Sequence, residues 1–140
     1  MQFETDLHRK LYNDTGVQSA VSNYEYQSST YYMIFYSRLI PVTINTTAGN
    51  YTPTLEDKTI NYYRLDPVRG GIRPHFLNYS ASCRAYTQYD AETIQDAVFT
   101  ALNRKRHNKS FFVCRKLAII PPADQADNYN APVEIMIKSI

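Results

Sequence analysis

Three histidines, His8, His75 and His107, and two cysteines, Cys83 and Cys114, are the side chains with the strongest intrinsic reactivity. A local metal site needs ligands at strand or helix spacing. None of the histidines is followed by a second ligand two, three or four residues on. They read as solvated or capping side chains. Neither cysteine sits in a C-x-x-C pair, and each falls in an alternating apolar run, so both read as buried thiols. Glu56-Asp57 is a pair of adjacent acids, the pattern of a solvated turn. Asp124 and Asp127 lack the D-x-D-x-D-G order of a calcium loop. No G-x-S-x-G elbow is spelled. With only 4 glycines, no phosphate cradle is spelled either. The expectation is a protein without cofactor or metal, and not an enzyme. A catalytic site assembled from distant residues would leave no local trace.

The run Arg104-Lys105-Arg106-His107-Asn108-Lys109 has a different chemistry. Its fixed charges could neutralise a few phosphates. The simpler reading is a set of cations closing a helix C-terminus, where the macrodipole favours them. Arg104, Lys105 and Arg106 are kept as candidates for weak phosphate contact. Tyrosine is the other oddity: 13 Tyr stand beside 6 Phe and no Trp. Tyr supplies apolar area with a polar tip and is enriched at interfaces. Tyr24, Tyr26, Tyr31, Tyr32, Tyr51, Tyr62, Tyr63 and Tyr129 exceed what one small core needs, so an interface protein is expected.

These residues must be positioned by regular elements. Phe3, Leu7 and Leu11 recur on one helix face, with Glu4 early and Arg9 and Lys10 late. Asp14-Thr15-Gly16 interrupts this helix, and a short turn with Val17, Ala20 and Val21 inward follows. Residues 31–36 form an aromatic, β-branched run that reads as a central strand. Residues 41–58 are rich in Thr and Asn and read as a long exposed excursion. Residues 58–65 alternate weakly as a second strand, and Asp66 to Gly71 reads as a turn. From Phe76 to Tyr86 the residues Leu77, Tyr79, Ala81, Cys83 and Ala85 share one side, the mark of a half-buried antiparallel strand. Asp90 is a candidate N-cap for a helix whose stripe is Ile94, Ala97, Val98, Ala101 and Leu102. Residues 111–120 and 133–138 read as closing strands around a polar loop at 123–131. The order predicts an α+β fold, mainly an antiparallel sheet of about four to five strands with helices packed on one face.

At 140 residues the chain fits a single domain spanning 1–140. Its apolar fraction of 44% and charged fraction of 20% belong to a globular protein. No run approaches the roughly 18 apolar residues of a membrane helix. The first residues, Met1 to Asp6, lack the basic-then-apolar order of a signal peptide. No membrane partner is expected. A net charge of +2 does not by itself call for nucleic acid.

Three passages together carry a resemblance. The first helix runs into Asp14-Thr15-Gly16-Val17-Gln18-Ser19-Ala20-Val21. The strand Ala81-Ser82-Cys83-Arg84-Ala85-Tyr86 leads into the helix from Asp90 to Leu102. Two closing strands then flank an Asp/Asn loop. This arrangement resembles the tail-completion or tail-terminator proteins of long-tailed bacteriophages. The resemblance implies a structural neck protein that forms a ring, typically of six copies, on the tail tube. Such a ring ends tube growth and joins the tail to the head connector. Implied partners are the chain itself, the tail-tube protein and a head-completion or connector protein, with DNA passing transiently through the lumen. The implied location is the head–tail junction of the virion, and the host cytoplasm before assembly. The 41–58 and 121–131 loops are the expected partner-facing elements, with Tyr51, Glu56, Asp57, Asp127 and Tyr129 as candidates. A head-closure protein or connector adaptor is one alternative, and a small nucleic-acid-binding module is another.

Overall fold

The computed structural model describes residues 2–65 and 76–139. The turn expected at 66–71 and His75 lie outside them. Helix α1 (Gln2–Tyr12) forms because Leu7 and Leu11 stack one turn apart and are fully buried. Helix α2 (Thr15–Ala20) starts at Asp14, whose carboxylate accepts from the Val17 backbone N–H at 3.0 Å. Strands β1 (Asn23–Tyr26), β2 (Ser29–Tyr32), β3 (Ile34–Tyr36), β4 (Ile44–Thr46) and β5 (Gly49–Tyr51) are short. Strands β6 (Thr59–Arg64) and β7 (Phe76–Ala85) are longer. Helix α3 (Gln88–Leu102) follows, then β8 (Lys105–His107), β9 (Ser110–Lys116) and β10 (Tyr129–Ser139).

The α+β class stands as expected, but the main sheet is larger than four to five strands. Among the described residues it has six, in the order β3-β6-β7-β10-β9-β8. The extra strand is β8, which the sequence hides inside a helix tail. Its pairs are antiparallel except β3 with β6, which is parallel. A parallel neighbour requires a crossover of about a dozen residues or more. Residues 37–58 are that crossover, so the excursion is a topological necessity. It carries the β4–β5 hairpin, turned at Gly49, whose φ of +116° favours glycine.

The spine of the sheet is β7 against β10, in register from Ala85–Tyr129 to Phe76–Lys138. Tyr79, Ala81, Cys83 and Ala85 face the helices, as the alternation predicts, opposite Ile135, Val133, Ala131 and Tyr129. Ile60 and Tyr62 of β6 and Phe112 and Cys114 of β9 extend this face. Helix α3 covers it with Ala91, Ile94, Val98, Ala101 and Leu102, and α1 adds Leu7 and Leu11. Gln95 is buried in the α3 stripe, where its amide donates to the carbonyls of Leu117 and Pro132, both at 2.9 Å. Those carbonyls belong to chain leaving β9 and entering β10, so Gln95 pins both to the helix. The other face is polar, with Asn78, Ser80 and Arg84 half-buried and Arg115 ion-paired to Glu134.

Two helix boundaries differ from the sequence reading. Thr87, not Asp90, caps α3, its hydroxyl accepting from the Asp90 N–H at 3.2 Å. The helix ends at Leu102 with no basic residue in its last turn. Arg104 then takes a left-handed backbone, φ 58°, and its N–H donates to the Phe112 carbonyl at 2.8 Å. A residue with a Cβ in that region costs roughly 1 kcal/mol relative to glycine. The basic run therefore leaves the helix and becomes edge strand β8. Residues 31–36 also divide. Tyr31 and Tyr32 belong to the β1–β2 hairpin, and only Ile34–Tyr36 joins the main sheet, at its edge rather than its centre.

Candidate interaction surfaces

The tyrosines condense into a lobe built from the two small hairpins beside the β3 edge. Gln27 and Ser28 turn the β1–β2 hairpin with φ of 50° and 69°, the double left-handed geometry that two-residue hairpins prefer. Register places Tyr24 opposite Tyr31, and their rings stack with centroids 5.7 Å apart. The β4–β5 hairpin docks alongside. Thr47 donates its N–H to the Glu25 carbonyl at 2.8 Å, and its hydroxyl accepts from the Gln27 N–H at 3.1 Å. The lobe is tied to the sheet at its base. Ser22 N–H donates to the Lys58 carbonyl, and Lys58 N–H donates to the Ser22 hydroxyl, both at 2.9 Å. Tyr12 reaches across from α1, its hydroxyl accepting from the Tyr32 N–H at 3.0 Å.

Two open clefts flank Tyr24. One, of about 370 Å³, lies among Tyr24, Tyr26, Tyr31, Phe35 and Asn45. The other, of about 290 Å³, lies among Glu25, Met33, Thr47, Tyr51 and Asp57. Tyr26, Tyr31 and Tyr51 are exposed at their rims, and Leu39 and Val42 stand out on the crossover at 77% and 81% exposure. Stacking and hydrogen bonding hold these rings in place, so little side-chain entropy remains to be lost on contact. The arrangement offers rigid aromatic area framed by amides and hydroxyls, the chemistry of a protein interface.

Tyr51 and Asp57, both named from the sequence, do meet. The Tyr51 hydroxyl donates to Asp57 Oδ2 at 2.7 Å, and the Thr54 N–H donates to the same oxygen at 2.8 Å. That bond to the carboxylate is the chief cause of a raised Tyr51 pKa. Asp57 thus folds its own loop, while Glu56 is exposed beside it. Asp127 lies 3.7 Å from Arg84 and accepts from the Asn128 N–H at 2.8 Å. Tyr129 is the first residue of β10 rather than a loop residue, its ring packed on the core. Thr59, Arg84 and Asn130 pair side by side across the sheet, so the 41–58 and 121–131 loops gather at one end of it. Arg104, Lys105 and Arg106 lie at the opposite end, where β8 meets the tail of β10 through β9.

The structure adds two polar sites that the sequence did not signal. His8 is not merely solvated: its Nδ1 is 2.6 Å from the Tyr62 hydroxyl, and its ring stacks on Tyr12 at 5.3 Å. Desolvation lowers the His8 pKa against the opposing pull of Glu4. Asp6 is fully buried and accepts from the Ser110 hydroxyl, joining α1 to β9. An acid in the first turns of a helix looks identical in sequence whether it faces water or core. Among the described residues no group of three His, Cys, Asp or Glu converges as a metal site, and no helix is long and apolar enough to cross a membrane. No protein-family model matches the chain, and no match is found among curated proteins.

Proposed function

We propose that this chain is a structural subunit of a long-tailed bacteriophage, assembling as a ring that caps the tail tube, ends its growth and joins it to the head connector. The observation that carries the reading is the tyrosine lobe. It presents Tyr24, Tyr26, Tyr31 and Tyr51 around two clefts, outside the core formed by helices and sheet. An α+β body with helices on one sheet face agrees with the tail-terminator resemblance seen in the sequence. A closed ring needs two different surfaces on each copy, related by a rotation that closes. The lobe would supply one such surface and the polar loop 121–131 the other. The partners would then be neighbouring copies, six in the ring by analogy with the family, together with the tail-tube protein below and a head-completion or connector protein above.

Gold-labelled antibody imaging of particles tests the location. Label at the head–tail junction supports the reading, and label absent from every particle with an accessible epitope overturns it. A head-closure or connector-adaptor role shares this surface and differs only in its neighbours, which a high-resolution map of the junction separates. Tyr24→Ala with Tyr31→Ala tests the lobe itself. The pair should leave the thermal midpoint within about 2 °C, because these rings lie outside the core. It should abolish complementation of tail joining. Full complementation would refute the lobe as the interface.

A further inference from the structure

The sheet corner opposite the tyrosine lobe's loops concentrates positive charge. Lys105, Arg106 and Lys109 are exposed on β8 and its turn, and Arg104 is exposed just before it. Helix α1 brings Arg9 and Lys10 to the same place, where they and His107 line a cleft of about 360 Å³. On the other face, Arg106 and Lys138 stand on either side of Phe111 in one cross-strand row. None of the four ion pairs among the described residues uses any of these cations. Asp14 also lines that cleft, where its carboxylate caps α2, and Asp6 is buried against Ser110, so the exposed cations outnumber the acids at this corner. The whole chain has a net charge of only +2, so the sequence outside these cations is net acidic.

Two ordinary explanations fall short. Helix-dipole compensation fades beyond the last turn, and α3 ends at Leu102 with Asn103 as its cap, so it does not account for the exposed cations Lys105, Arg106 and Lys109. Protection of an exposed sheet edge accounts for Lys105 and Arg106 on β8. It does not account for Arg104, which holds a left-handed position that favours glycine. A side chain kept where the backbone would prefer none points to use of that side chain.

We propose that this corner docks on the phosphate backbone of duplex DNA. Cations on both faces of a sheet corner suit a rigid polyanion carrying a charge every ~1.7 Å of its axis. The inference goes beyond the ring reading and does not rest on it: a lone chain can bind DNA, and a ring subunit can fail to.

The test is fluorescence anisotropy of a labelled random-sequence duplex with the full chain, titrated across salt. Neutralising about four phosphates gives a log–log salt slope of about −3.6, an affinity loss of ~150-fold between roughly 50 and 200 mM. Lys105→Ala with Arg106→Ala should flatten that slope by about 2. Arg104→Gly should weaken binding while raising the melting temperature, opposite directions that misfolding cannot produce. Arg115→Ala with Lys116→Ala, which removes ion-paired cations elsewhere on the sheet, should leave binding unchanged. No binding at the lowest salt overturns the proposal. So does equal loss in the Arg115/Lys116 control, or binding to polyglutamate as tight as to DNA, which would indicate an acidic polypeptide partner.

Discussion

Two buried tyrosines on neighbouring strands should respond oppositely to loss of their hydroxyls. Tyr79 is fully buried on the helix-facing side of β7, and its hydroxyl has no hydrogen-bond partner. Tyr62 is 1% exposed on β6, and its hydroxyl meets His8 Nδ1 at 2.6 Å. Leaving a buried hydroxyl unpaired costs about 1–3 kcal/mol. Tyr79→Phe removes that cost and keeps the ring, at the expense of a void about one oxygen atom in size. A net stabilisation of about 1 kcal/mol follows, or roughly 3–4 °C in thermal midpoint for a chain of this length. Tyr62→Phe instead loses a made bond, and His8 can turn to water, so it should destabilise by about 1 kcal/mol. Urea melts of the three proteins at neutral pH read both signs at once. Destabilisation of 1 kcal/mol or more by Tyr79→Phe would refute the reasoning, because the hydroxyl would then be holding a partner such as an ordered water.

Gln95→Ala should destabilise by about 1–2 kcal/mol, since it loses two hydrogen bonds while the Pro132 carbonyl keeps the Leu117 N–H at 3.0 Å and Leu117 is open to water; denaturant midpoints check this. Burial pushes Tyr79 and Cys114 up to about 12 and raises Tyr62 and Cys83 from their ordinary values. These groups stay protonated in the fold after the unfolded chain has begun to release their protons. Their stability contribution is therefore full below about pH 9 and is lost as pH rises through about 12, so melts should weaken from about pH 8 to about pH 10.5. Over the same range both thiols should resist a thiol reagent until the protein unfolds.

Legibility followed the length of each pattern. The β7 alternation and the α3 stripe were readable because burial repeats over several turns or pleats, at Tyr79, Ala81, Cys83 and Ala85 and at Ile94, Val98 and Leu102. The β1–β2 hairpin was missed because Gln27-Ser28 lacks the Asn-Gly or Asp-Gly signature of its turn, although it adopts that geometry. Strand β8 was hidden because Arg104-Lys105-Arg106 has good helix propensity, and only pairing with Phe112 and Phe111 across a tight hairpin overrides it. The meeting of Tyr51 with Asp57 was within reach, being local. The burial of Asp6 and the His8–Tyr62 bond were not, since each depends on a residue far along the chain.

The lobe's slender attachment has a consequence for how the molecule opens. Its hairpins bury few side chains, chiefly Ile44 and Met33, whereas β7 and β10 share a ladder ten pairs long beneath two helices. Opening free energies are lowest where buried apolar contacts are fewest. Amide protons of Tyr24, Tyr31 and Asn50 should therefore exchange through local opening, while those of Ala81 and Ile135 wait for global unfolding. A partner that clamps the lobe would slow both sets, since it stabilises the folded state against every opening that releases it, and would leave unchanged only amides whose local opening keeps the lobe intact.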